Sequence, residues 1–169
     1  MHLIIDGYNL LHVTRSLSQL SSIELEWERD RLINQLSVYR QLRPYPITVV
    51  FDGWQGGWNR ETREMKKGIE VIFSKLGEKA DEVIRRFIRK EGSSAVVITS
   101  DRDISRYAGR MATAFISSDQ FREKMEKSSV QMEKDFEDEV EGERGLKRTG
   151  SSRRFSKEER RRRSVLKKL

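Results

Sequence analysis

Leu3-Ile4-Ile5-Asp6-Gly7-Tyr8-Asn9-Leu10-Leu11 is the stretch on which the fold turns. A short apolar run that meets an acid and a glycine reads as a buried strand stopping at a turn. The pattern recurs along the chain. Ile47-Thr48-Val49-Val50-Phe51 runs into Asp52-Gly53, and Ala95-Val96-Val97-Ile98-Thr99 runs into Ser100-Asp101. Ile69-Glu70-Val71-Ile72-Phe73 and Ala112-Thr113-Ala114-Phe115-Ile116 complete a set of five expected strands. Between them lie helical patterns. Ser21-Ser22-Ile23-Glu24 has the form of a capping box, and Leu25, Leu32, Ile33, Leu36 and Tyr39 share one face before Pro44. Val83, Ile84, Phe87 and Ile88 form a second stripe that ends at Gly92. A short helix is expected after Asp101, and another from Ser118 to about Lys127. Apolar strands alternating with amphipathic helices predict the α/β class, with a mostly parallel sheet covered on both faces.

The rest of the composition bounds what surrounds that unit. The 169 residues are 36% hydrophobic and 36% charged, enough for one core if part of the chain stays outside it. Apolar residues thin out after Ser128, and Gly142, Gly145 and Gly150 interrupt any long helix, so the expected division is a domain over 1–127 and a charged tail over 128–169. Ser156 to Leu169 would suit a basic helix. The absence of cysteine rules out disulfides and thiolate metal sites and fits a reducing cytoplasm. No stretch resembles a signal peptide or approaches the ~20 apolar residues of a membrane span, which predicts a soluble chain without a membrane partner. The net charge of +7 is unevenly spread: residues 1–132 carry +3, residues 133–143 carry −6 and residues 144–169 carry +10. A basic end suits a polyanion such as RNA, although charge runs are also plain solvated tails.

In an open parallel sheet, ligands bind outside the carboxyl ends of the strands. Asp6, Asp52 and Asp101 each follow a strand, and Asp81 begins a helix, so neighbouring parallel strands would bring them to one edge. Clustered carboxylates repel one another and must raise their pKa values or hold a cation. Hard oxygen ligands suit Mg2+ or Mn2+, ions able to activate water and neutralise charge on a phosphodiester. Asn9 can orient a carboxylate or a phosphate without adding charge. Each residue has a duller explanation as well. Asp-Gly pairs are ordinary turns, Asp81 can face a helix dipole, Ser100 or Asp101 can cap the next helix, and Asp103 fits that helix's first turn.

The opening motif, Val50-Phe51-Asp52-Gly53, Glu70-Val71-Ile72-Phe73-Ser74, Lys79-Ala80-Asp81-Glu82-Val83-Ile84 and Ile98-Thr99-Ser100-Asp101 together resemble the YacP branch of NYN domains, in order, over roughly 1–127. The resemblance implies a PIN-like three-layer fold and a divalent-metal endoribonuclease site. Carried over by motif, it implies Asp6, Asp52, Asp81 and Asp101 as catalytic and metal-binding acids with Asn9 beside them, and Asp103 as a less secure ligand that the branch need not keep. It also implies messenger RNA as substrate, the ribosome as setting and mRNA decay as process.

Around that site, the segment between Gly53 and Gly68 reads as a loop that mixes Trp54 and Trp58 with Arg60, Arg63, Lys66 and Lys67. Such a mixture can stack bases and hold phosphates, or simply cover a sheet edge. Arg102, Arg106 and Arg110 are either a phosphate-facing row or a solvent face, with the solvent face favoured for Arg110. Arg153, Arg154 and Arg160-Arg161-Arg162-Arg163 in the tail would supply salt-sensitive affinity for RNA. Neither His2 nor His12 is placed to act as general base. Competing readings are a non-catalytic RNA- or ribosome-binding adaptor, a DNA-directed nuclease and a receiver-like phosphoacceptor, the last lacking a lysine after strand five. Oligomeric state is left open by the sequence.

Overall fold

The computed structural model describes residues 1–53 and 59–138. Its elements are β1 (His2–Asp6), α1 (Gly7–His12), α2 (Ser22–Leu42), β2 (Ile47–Phe51), β3 (Thr62–Lys66), β4 (Ile69–Phe73), α3 (Ala80–Glu91), β5 (Ala95–Ile98), α4 (Arg102–Arg110), β6 (Ala114–Ile116) and α5 (Ser118–Asp138). The strands form one sheet in the order β3-β4-β2-β1-β5-β6. All neighbours are parallel except β3 with β4.

Alternation along the strands divides the core in two. Leu3, Ile5, Val49, Phe51 and Val71 point to the side covered by α1, α2 and α5, where Leu32, Leu36 and Phe121 meet them. Ile4, Val50, Ile72 and Val97 point to the other side, where Val83, Ile84 and Ile88 of α3 and Ile104 and Ala108 of α4 complete a second cluster. A sheet buried on both faces is why these strands read as unbroken apolar runs. The expected α/β class and three layers are what the molecule has. The capping box is also present: Ser21 Oγ accepts from Glu24 N, and the Glu24 carboxylate accepts from Ser21 N at 2.8 Å.

Four local expectations change. The segment before Gly68 is not all loop, because Thr62–Lys66 forms the antiparallel edge strand β3, joined to β4 by a tight turn at Lys67 (φ 52°) and Gly68 (φ 80°). The Asp6-Gly7 pair is not a turn but the junction of β1 with the short helix α1. The last strand begins at Ala114, since Ala112 has φ 55° and Thr113 N bonds back to Ala108 O at 2.9 Å to close α4. The final helix continues past Lys127 to Asp138.

Topology positions the site. From β1 the chain moves outward through β2 to the edge strand β3, steps back to β4, then crosses to β5 on the opposite side of β1. Connections therefore diverge at the carboxyl ends of β1 and β5 and open a crevice there. Among the described residues no helix is long and apolar enough to cross a membrane.

Candidate active site

Asp6 stands at the end of the central strand and caps α1, its Oδ1 accepting from Asn9 N at 3.1 Å. Thr99 Oγ1 donates to Asp6 Oδ2 at 3.3 Å and accepts from Asp101 N at 3.0 Å, so one buried hydroxyl links the ends of β1 and β5. Asp101 caps α4, with Oδ1 accepting from Asp103 N at 2.7 Å and Ile104 N at 3.0 Å. Asp52, beyond β2, accepts from Ala80 N at 2.6 Å and so ties the start of α3 to the sheet. Asp81 lies in the first turn of α3.

Two of the four carboxylates feel the charge of the others. Burial of Asp6, which is 8% exposed, pushes its pKa up to about 7, against the lowering effect of the Asn9 and Thr99 bonds and with the help of Asp81 and Asp52. Asp81 is also raised, first by desolvation and then by Asp101, with Asp52 adding to it and Arg85 opposing. Asp6, Asp52, Asp81 and Asp101 therefore form one electrostatic unit, each helix-capping role notwithstanding. Asp81 accepts no hydrogen bond among the described residues, and Asp52 and Asp101 each engage one oxygen, so oxygens remain for a cation. Those same residues contain no group of three carboxylates or histidines gathered closely enough to enclose an ion. Mg2+ commonly takes only one or two carboxylates and keeps waters or substrate phosphate for the rest, so the donor set suits a hard divalent ion in an open site.

Asn9 is held by two contacts that sequence reading misses: its Oδ1 accepts from Ser100 N at 2.9 Å and Ser118 Oγ at 3.1 Å, leaving the amide nitrogen to donate. Ser74 is likewise hidden from sequence patterns; its hydroxyl accepts from Gly53 N at 3.0 Å and donates to Glu78 O at 2.6 Å, fixing the chain beside Asp52. Tyr8 and Arg29 flank the β2 side. Arg29 Nη1 donates to the Tyr8 hydroxyl at 3.2 Å and lies 5.3 Å from the Phe73 ring centre, while Asp52 is close enough to affect Tyr8. Tyr8 sits inside the opening motif, but nothing in α2's sequence singles out Arg29.

Other expected contacts fall elsewhere. Asp103 is exposed, faces Arg106 at 3.6 Å and does not join the four acids. Because β3 runs antiparallel to β4, Lys66 pairs with Ile69 at the end of the sheet opposite the carboxylates. Lys66 there lies 3.6 Å from Asp30, and Lys67 Nζ bonds Asn34 at 2.5 Å. Arg63 pairs with Glu61 at 2.7 Å and Glu70 at 3.6 Å. Lys66 and Lys67 are thus carried by the strand and its turn to the end away from the crevice, whereas Arg63, opposite Ile72, stays near the carboxyl end of β4 with carboxylate partners. Arg60 and Arg102 remain exposed. Trp54, Trp58, Arg153, Arg154, Arg160, Arg161, Arg162 and Arg163 lie outside the described residues. His2 is at the far edge, bonded to Glu91 at 2.9 Å and Thr48 at 2.8 Å.

With that geometry in place, comparison with known proteins decides the family. The model of the YacP-like NYN domain matches residues 3–167. This chain belongs to the YacP-like NYN domain family. It is 32% identical over 102 residues to the uncharacterized protein YacP of Bacillus subtilis (strain 168), a match spanning 59% of each chain. It also resembles the crystal structures of Rae1 (YacP) from the same organism. For a single-substitution variant the TM-score is 0.67, with 25% identity over 82% of this chain and 83% of that one. For the unsubstituted protein it is 0.64, with 25% identity over 83% and 82%. The fold is thus of the nuclease type that NYN domains share with PIN-like proteins.

Proposed function

We propose that this NYN-domain protein is a divalent-metal-dependent endoribonuclease that hydrolyses RNA phosphodiester bonds, working on messenger RNA in the cytoplasm in association with the ribosome. The observation that carries the reading is the coupling of Asp6, Asp52, Asp81 and Asp101 at the switch point of the sheet, with Asp6 pushed up to about 7 despite two hydrogen-bond donors. A site made only to cap helices gains nothing from bringing four like charges together. Charge left uncompensated in a crevice is what a cation-assisted hydrolase needs before its substrate arrives.

One or two of Asp52, Asp81 and Asp101 would hold Mg2+ or Mn2+, the rest of its shell being left to water or substrate phosphate. When bound, such an ion supplies positive charge against the phosphodiester and makes water more acidic. The chain's own groups do the remainder. Asp6, close to half-ionised near neutral pH, can take or return a proton at Oδ1 or Oδ2 as the local charge changes. The Asn9 amide nitrogen can donate to a substrate oxygen, since its oxygen is committed to Ser100 and Ser118. Arg29, propped on Tyr8 and Phe73, offers a cation at the β2 side of the crevice.

The test is cleavage of a translated messenger RNA, free and on ribosomes, by wild type and Asp6→Asn with Mg2+ or Mn2+ and then with chelator. Metal-dependent cutting that disappears in the variant is expected. RNA binding without cutting under any of these conditions would overturn the enzyme reading in favour of an adaptor, and equal cutting of single-stranded DNA would overturn the RNA specificity.

A further inference from the structure

We propose that the groove between α3 and α4 is the path of the RNA strand leaving the carboxylate site, with Arg85 and Arg89 holding its phosphates beside the Tyr107 ring. The inference rests on the nuclease reading above and adds to it the direction in which substrate runs.

Both helices begin at the carboxylate edge: Asp81 is in the first turn of α3 and Asp101 caps α4. They pack side by side on the same face of the sheet. Arg85 follows Asp81 by one turn, near enough for its charge to act on that carboxylate, and Arg89 follows by another. At 1.5 Å rise per residue the two arginines are spaced about 6 Å along the helix axis, a step comparable to that between successive phosphates of an extended strand. Tyr107 reaches across from α4. Arg89 Nη1 donates to its hydroxyl at 3.3 Å, and the Arg85 guanidinium lies 5.6 Å from its ring centre. An aromatic ring between two guanidiniums is the mixture that holds single strands, through stacking on one side and phosphate contact on the other.

Charge compensation distinguishes this surface from the β3 side. On the β3 side Arg86 is gripped by Glu61 and Glu78, and Arg63 and Lys66 have carboxylate partners too. In the α3–α4 groove, Arg85 shares Glu82 at 3.0 Å, its Nε is buried without a hydrogen bond, and Arg89 has no carboxylate partner among the described residues. Asp103, the other acid on this face, is taken by Arg106. The Arg89 charge is therefore left over here, below the acidic crevice, where it can hold a phosphate of the strand that leaves the site.

The experiment uses the full chain and a short single-stranded RNA carrying 4-thiouridine at successive positions. With Mn2+, Arg89→Gln and Arg85→Gln should each raise KM about tenfold with little change in kcat, Arg89→Lys should recover most of the loss, and the salt dependence of KM should weaken by about one unit of log-log slope per arginine removed. Wild-type KM and salt dependence in both glutamine variants would overturn the path. In chelator, 4-thiouridine should crosslink to the peptide containing Tyr107; crosslinks confined to the tail would overturn it. That arm reads the path even for a chain that cuts nothing, so failure of the nuclease reading and failure of the groove are told apart.

Discussion

Asp6 illustrates how one carboxylate serves structure and chemistry at odds with each other. It caps α1 and receives Thr99, yet burial and two neighbouring acids hold its pKa near 7, far above the ordinary 3.8. Between those values the folded protein keeps a proton that the unfolded chain has released, so stability falls as pH rises through that window, and the full cost is present above pH 7. A shift of this size corresponds to roughly 4 kcal/mol. Asparagine caps a helix as well as aspartate does and carries no charge. Asp6→Asn should therefore melt at a higher temperature than wild type at pH 8 and at nearly the same temperature at pH 4, while losing cleavage; equal melting at pH 8 would show that the burial carries no such strain. Mn2+ should raise the melting temperature of wild type at pH 8 and raise that of the variant much less. Thr99 provides a second check at this scale. Thr99→Val removes the donor to Asp6 and the acceptor of Asp101 N, which should cost about 1–3 kcal/mol in thermal or denaturant unfolding and most of the cleavage rate, and Thr99→Ser should restore both.

At the scale of elements, legibility followed burial. Strands β1, β2, β4 and β5 are covered on both faces and so announced themselves as apolar runs, and the α2 and α3 stripes appeared at helical spacing. Edge strand β3 did not. Its Thr62-Arg63-Glu64-Met65-Lys66 is polar on both sides and half-exposed, and its turn places Lys67, not asparagine or glycine, at positive φ. Read as loop, it left Lys66 and Lys67 beside the site, whereas they stand at the opposite end of the sheet. Asp6, Asp52 and Asp101 were visible because strand ends are visible, and Asp81 because a helix start is, whereas Ser74, Ser118 and Arg29 reach the site only through tertiary packing and leave no local pattern. The junction after β2 carries a sharp prediction. A Cβ on Gly53 would stand 1.7 Å from the Ser74 carbonyl oxygen, so Gly53→Ala must push the chain that carries Asp52 away from β4. Gly77, with φ +81° but nothing within 4 Å of its Cβ position, meets only backbone strain. Gly53→Ala should lose at least about 2 kcal/mol in denaturant unfolding and most of the cleavage, against about 1 kcal/mol and little activity for Gly77→Ala. Equal losses in the two variants would mean that the close approach at Ser74 does not hold Asp52 in place.

Across the whole molecule, charge is unevenly spread along the sequence. The acids that matter lie in the crevice, residues 133–143 add −6, and residues 144–169 add +10. The family match extends to residue 167 and so takes in most of the basic end. An acidic site attracts a polyanion poorly at long range, so on the nuclease reading the basic segment is expected to supply affinity for RNA that the site itself lacks. Such affinity comes from released counterions, so it is sequence-independent and falls steeply with salt, with a slope of about 0.7 per phosphate contacted on a single strand. Replacing Arg160, Arg161, Arg162 and Arg163 by glutamine should lower the slope of log affinity against log salt by up to about 3 and raise KM most at low salt, while kcat at saturating RNA stays within about twofold. A fall in kcat at unchanged KM would instead place these arginines at the reacting phosphate and move the working site from the strand ends toward the tail.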